Sequence, residues 1–294
     1  MAVTTDTEER APETAGGATE PRRQKRSAAN VWLGVIAWIV GIAFFFPVFW
    51  MVLTSFKQET DAYTTTPKII FEPTLEQYEG VFSAGVGPYL VNSVIATVFS
   101  TLFVLLLGIP AAFAVSLRPV KKTQDVLFFF ISTKMLPVVA VIVPIYVVVN
   151  QIGMLDNIWT LVILYTGMNL PIAVWMMRSF FLEVPGELLE QASIDGAPLW
   201  RTLREIVLPI ISPGIFATAL ICVIFAWNEF FFAVNLTAAN AGTMPVFLVG
   251  FITSEGLYWA QLSAAATLAA LPVIIAGWVA QNKLVQGLSF GAVK

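Results

Sequence analysis

Histidine is absent from all 294 residues, and cysteine occurs once, as Cys222. The first absence removes the commonest general base and the commonest metal ligand together. The second excludes an intrachain disulfide and a thiolate metal cluster. Cys222 lies within the apolar run Ile221, Val223, Ile224, Phe225 and is expected to be a small buried side chain. Charge is scarce too: 12% of residues are charged, 57% are hydrophobic, and the mean hydropathy is +0.80. An ordinary soluble domain carries about 25% charged residues. So little polar surface cannot cover a water-exposed sphere of this size, and lipid is the expected solvent for most of the chain. The phosphate-cradling sequence Gly-x-x-x-x-Gly-Lys-Ser/Thr is also missing. No catalytic residue, metal site or nucleic-acid partner is expected.

What the sequence does have is long charge-free runs. Nothing is ionised from Val31 to Phe56, Gly80 to Leu117, Asn157 to Met177, Ile206 to Asn228 or Gly256 to Asn282, and Val126 to Asn150 is interrupted only by Lys134. A bilayer crossing needs roughly 20 mostly apolar residues. These runs predict an all-α polytopic protein with six spans near 31–55, 89–117, 126–150, 158–178, 209–232 and 262–282. Residues 230–254 carry Asn235, Thr237, Asn240, Gly242 and Pro245 and are expected to form an outer loop with room for a short re-entrant helix. Residues 1–30 are polar, low in complexity and expected to form a disordered tail ahead of an uncleaved anchor helix.

Lys and Arg set the orientation. With the N-terminus inside, thirteen of them fall in cytoplasmic segments (Arg10, Arg22, Arg23, Lys25, Arg26; Arg118, Lys121, Lys122; Arg178, Arg201, Arg204; Lys283, Lys294) and two outside (Lys57, Lys68). Positive charge is retained on the cytoplasmic side, so both termini are expected inside.

The one long cytoplasmic loop, 183–208, reads as structure. Pro185 suits the first turn of a helix running to about Asp195, where Gly196 supplies a left-handed stop. Pro198 opens a second helix on which Leu199, Leu203, Ile206 and Val207 make one apolar stripe. Two short helices joined at a glycine and feeding into a span form an elbow, and an exposed stripe there calls for a partner groove. Glu190, Ala192, Asp195, Gly196, Ala197, Ile206, Leu208 and Pro209 resemble the EAA loop of ABC-importer permeases of the carbohydrate, maltose-type family. Gln191 and Leu203 depart from it, where Ala and Phe are usual. Phe225-Ala-Trp-Asn-Glu-Phe230 is similar to the fifth-helix stretch of sugar permeases, and Gly287–Lys294 to their cytoplasmic tail. Sorbitol and mannitol permeases are nearest in overall likeness, trehalose and maltose permeases next.

That resemblance covers residues 31–294 as one permease domain. It implies a second homologous permease subunit, two ATPase subunits that bind ATP and Mg, and an extracytoplasmic substrate-binding protein, assembled in a bacterial inner membrane. This chain would bind no cofactor of its own. Coupling would fall to Glu190, Ala192, Asp195, Gly196, Ala197, Leu203 and Ile206.

The candidate translocation path is Asn92, Lys134, Trp227, Asn228 and Glu229. A charge at the bilayer centre costs about 3 kcal/mol. Lys134, roughly 13 Å deep from the inner end, is expected to face the translocation interface, while Glu229, roughly 30 Å deep, is either a path group or sits at the outer boundary. Asn92, Asn169 and Asn228 either bind sugar hydroxyls or lock helices together. Trp32, Trp50, Trp159, Trp175 and Trp259 are expected in the interfacial belts. The competing readings are a secondary transporter, which would need a carboxylate relay or repeated broken helices, and a membrane enzyme, which would need a nucleophile–base pair.

Overall fold

A computed structural model describes residues 28–117, 122–253 and 256–290. The basic cluster of the N-terminal segment, Arg118, Lys121 and the final residues 291–294 lie outside the described residues. So does the tail expectation for 1–27.

Helix α1 (Ala28–Thr54) comes first, with its residues exposed from Trp32 through Phe49. Two short helices follow, α2 (Glu59–Ala62) and α3 (Glu76–Ser83). Helix α4 (Val86–Leu117) then runs the full length of a span. The third crossing is divided into α5 (Thr123–Met135) and α6 (Val138–Gln151), with α7 (Ile158–Leu182) next. Among the described residues five helices are long and apolar enough to cross a bilayer, and the bent pair, counted as one span, raises the number to six. Half of the most apolar window of α7 is buried, against a third for α4, so α7 is the central helix of the subunit. Small residues let α4 and α7 approach closely, as in other membrane helix pairs: a Cβ on Gly108 would lie 2.8 Å from the Met177 methyl.

The third span differs from the continuous helix expected over 126–150. Between α5 and α6 the chain bends by 90°. Pro137 has no N–H to continue the helix, and it pushes the residue before it out of the helical region. Leu136 (φ −70°, ψ 124°) and Pro137 (φ −62°, ψ 122°) are both extended, and two such residues in series turn the axis.

Two short helices follow α7: α8 (Gly186–Ile194) and α9 (Leu199–Arg201). A π-helical segment, Thr202–Val207, joins α9 to α10 (Leu208–Trp227). The Leu208 N–H reaches back five residues to the Leu203 carbonyl. An α-turn would press the Pro209 ring on the Glu205 carbonyl and leave that carbonyl without a donor; the wider turn avoids the collision. The ambiguous stretch 230–254 holds two short helices, α11 (Phe231–Leu236) and α12 (Met244–Val249). A two-residue hairpin, β1 (Ile252–Thr253) with β2 (Gly256–Leu257), leads into α13 (Trp259–Phe290). Among the described residues three apolar clusters hold the helices together: one around Phe113, Met177, Phe181 and Val207, and two others around Tyr165 and Phe247.

Candidate functional site

The elbow forms as its residues dictate. Helix α8 ends at Ile194, the Gly196 N–H bonds the Ser193 carbonyl at 3.1 Å, and the Ala197 N–H bonds the Ala192 carbonyl at 2.9 Å. These two bonds are the Schellman pair that closes a helix through a left-handed residue. Gly196 is that residue, with φ +68°. Pro198 then caps α9, and the Arg201 Nε–H donates to Glu205 Oε2 at 2.8 Å one turn later, an exposed pair.

Most of the apolar stripe points inward and not outward as expected; of its four residues Leu199 stays exposed. Leu203 (5% exposed) and Val207 (0%) are buried against Phe113, Met177 and Phe181, and Ile206 is half-buried. The two helix-spaced positions prefer the apolar body of the subunit to water, so the stripe fastens the elbow to the spans. Ala192 is buried as well. Leu203 and Ala192 therefore present no exposed side chain on the elbow. What the elbow does present is Ile194 (84% exposed) and Trp200 (67%), flanked by Glu190, Asp195 and Leu199. Sequence reasoning missed Ile194 and Trp200; large apolar side chains bracketing a polar turn were the available signal. A cleft of about 310 Å³ lies behind the elbow, lined by Phe113, Leu117, Glu190, Ser193 and Thr202.

The candidate path residues separate into two sets. Three are structural. The Asn92 amide donates to the carbonyls of Asn240 (2.8 Å) and Gly242 (3.0 Å), the Trp227 indole N–H donates to the Ala269 carbonyl at 3.1 Å, and the Glu229 carboxylate accepts the Phe232 N–H at 2.9 Å. Asn92 ties α4 to the loop between α11 and α12, Trp227 ties α10 to α13, and Glu229 caps α11. The other two, Lys134 and Asn228, stay exposed. The Lys134 ammonium lies over the Phe225 ring, 5.6 Å from its centroid, and the Asn228 amide donates to the Ile224 carbonyl of its own helix. Asn169 is fully buried in α7, so it serves the interior of the subunit. Trp175 sits seven residues above the end of α7 and donates to the Leu127 carbonyl at 3.0 Å, so it packs α5 against α7 instead of joining the inner belt. Trp159 and Trp259 do stand at helix ends. Cys222 is buried, as expected.

Two further groups had no signal in the sequence. Asp156, at φ +52°, accepts the backbone N–H groups of Ala238 (2.8 Å), Asn240 (3.0 Å) and Ala241 (2.9 Å) and the side-chain amide of Asn240 (2.8 Å). Burial pushes its carboxyl up, but the donors from Ala238, Ala241 and Asn240 together outweigh that and hold it below the ordinary aspartate value. Lys57 is buried, with its ammonium 4.3 Å from the centre of the Trp50 ring and 5.3 Å from that of Phe71. Burial lowers its pKa, opposed by the nearby Asp61 charge.

Residues 104–289 match the model of a family described as "Binding-protein-dependent transport system inner membrane component". A probable ABC transporter permease protein of Sinorhizobium fredii, y4oR, is 37% identical over 87% of this chain and 92% of its own length. The diacetylchitobiose uptake system permease protein DasC of Streptomyces coelicolor is 33% identical over 92% and 99%. The trehalose/maltose transport system permease protein MalG of Thermococcus litoralis is 32% identical over 90% and 97%. Among solved structures, a chain of a bacterial ABC transporter that imports the acidic polysaccharide alginate superimposes with a TM-score of 0.70 at 20% identity, over 90% of this chain and 100% of that one. With a family match over more than half its length and relatives above 30% identity across nearly all of it, this chain belongs to the binding-protein-dependent transport system inner membrane components, the multi-pass membrane permeases of ABC transporters.

Proposed function

We propose that this chain is one of two permease subunits of an ATP-driven importer for a sugar or polyol, set in a bacterial inner membrane with both termini in the cytoplasm. The observation that carries the reading is the elbow. It is locked by the Gly196 turn, fastened to the spans by Leu203 and Val207, and exposes Ile194 and Trp200 to a cytosolic partner. A cytosolic ATPase that grips this face moves α10 with it, because α9, the π-helical segment and α10 run on without a break. ATP and Mg belong to that ATPase and its twin. An extracytoplasmic binding protein delivers the solute to the outer face. Glu190 and Asp195 supply the acidic contacts of the coupling surface; Gly196 and Ala197 set its angle.

The sugar assignment draws on the relatives named for diacetylchitobiose and for trehalose and maltose uptake. A disaccharide is the alternative to a polyol. Lys134 and Asn228 are the path residues the reading retains. One observation favours a secondary transporter instead, the broken third span, since half-helices meeting at the midplane are common in that class.

Sealed proteoliposomes decide between them. The assembled complex should take up labelled solute only with ATP on the ATPase side and the binding protein on the other, and this chain alone should take up none. Uptake by the chain alone, driven by a sodium or proton gradient, overturns the importer reading.

A further inference from the structure

Lys134 is unexplained by the elbow, the outer loop or the apolar clusters. It stands two residues before the break at Leu136–Pro137, roughly 16 Å along the axis from the start of α5 at Thr123, inside the bent third span. Its side chain is exposed on the subunit. Among the described residues the two ion pairs are Lys68–Asp61 and Arg201–Glu205, so no carboxylate neutralises it. Its neighbours on α5 are occupied: the Ser132 hydroxyl donates to the Phe128 carbonyl and the Thr133 hydroxyl to the Phe130 carbonyl. Against it stands Phe225, whose ring is 43% exposed, and one turn further along α10 is the exposed Asn228.

A cation without a counter-charge inside a span is unfavourable against lipid and tolerable where water reaches it. Lys134, Phe225 and Asn228 together make an exposed patch with one net positive charge and an aromatic face.

We propose that this patch is a charge-selecting subsite of the translocation path: the Lys134 ammonium donates hydrogen bonds to the hydroxyl or acidic oxygens of a polyhydroxy solute and repels solutes that carry a cation. The class admitted is neutral and acidic sugars or polyols; amino sugars with a free ammonium are turned away. A fixed charge beside a narrow path imposes such a preference without closing it. The proposal rests on the reading that the broken span lines the path.

The test reads the field of Lys134 with a reporter thiol and needs no knowledge of the solute. Asn228→Cys in a Cys222→Ser chain, assembled with its partners in nanodiscs at low salt, is treated with two thiosulfonate reagents of similar size, one bearing a sulfonate and one a trimethylammonium. The reporter lies roughly 10 Å from the ammonium, the Phe225 contact plus one helical turn. One unit charge at that distance in water changes the local concentration of a singly charged reagent about two-fold. The anion-to-cation rate ratio should therefore fall about four-fold in Lys134→Gln and about sixteen-fold in Lys134→Glu, and hold in Lys134→Arg. An unchanged ratio in both variants overturns the subsite, as does a reporter that neither reagent reaches. The rates are read without ATP, so an importing complex with a flat ratio sinks the subsite alone. A chain that transports without ATPases sinks the importer reading and leaves the ratio standing.

Discussion

Replacing Gly196 with valine perturbs the elbow through the backbone alone. A Cβ built at Gly196 has nothing within 4 Å, so no neighbour is struck, yet φ is +68°. Holding an L-residue in that conformation costs about 1–2 kcal/mol, and a β-branched one sits at the upper end. The two Schellman bonds at 3.1 and 2.9 Å are the competing gain, worth about 1 kcal/mol each, so the balance is close and the turn is populated only part of the time. A shift of 1–2 kcal/mol is roughly a 5- to 30-fold change in that population. With the turn open, Ile194 and Trp200 no longer share a surface. Gly196→Val should leave insertion intact while binding-protein-stimulated ATP hydrolysis of the assembled complex falls at least five-fold. Gly196→Asn, which tolerates the left-handed region, should keep most of it. Hydrolysis in Gly196→Val equal to wild type, or equal losses in the valine and asparagine variants, would refute the argument from backbone strain.

The remaining expectations concern other parts of the chain. Asp156→Ala removes a charged acceptor from three backbone N–H groups, so hydrogen exchange at Ala238 and Ala241 should rise ten-fold or more. Because the folded pKa of Asp156 is lowered, its contribution is present above the ordinary aspartate value of about 3.9 and is lost as pH falls through the folded value; outer-loop protection should drop in acid in the wild type and be flat with pH in Asp156→Ala. A Cβ on Gly214 would lie 2.2 Å from the Phe180 ring, so Gly214→Ala should lower the melting temperature of the purified subunit by the equivalent of about 1–3 kcal/mol, and Phe180→Ala in the same chain should recover part of it. In a Cys222→Ser chain, an impermeant thiol reagent applied outside should label cysteines at Thr65 and Ala239 and leave one at Trp200 untouched; labelling at Trp200 would invert the topology.

Most of the helices were legible because charge is the strongest punctuation a lipid-embedded chain has. The interval between Leu117 and Thr123, and that between Leu182 and Gly186, end spans where the charges do. The break at Pro137 was not legible: Leu136-Pro137 sits in an apolar run, and hydropathy is blind to the two extended residues that bend the axis. Prolines at 110, 171 and 272 lie within unbroken helices, so proline alone does not mark the break. Gly196 was readable because only a left-handed residue closes a helix there. The direction of the stripe was not, since Leu203 and Val207 satisfy the same periodicity whether they meet a partner or their own body. For the path, Asn92 and Trp227 bond residues 150 and 42 positions away, and no local pattern encodes such pairings.

That the exposed face of the elbow is where force enters the membrane is tested most directly by photo-crosslinking in the native membrane. A benzophenone side chain at Ile194 or Trp200 should yield one adduct with the cytosolic ATPase subunit, and one at Leu203 should crosslink only within this chain. ATPase adducts from Leu203 with none from Ile194 or Trp200 would contradict the orientation of the elbow and the coupling built on it.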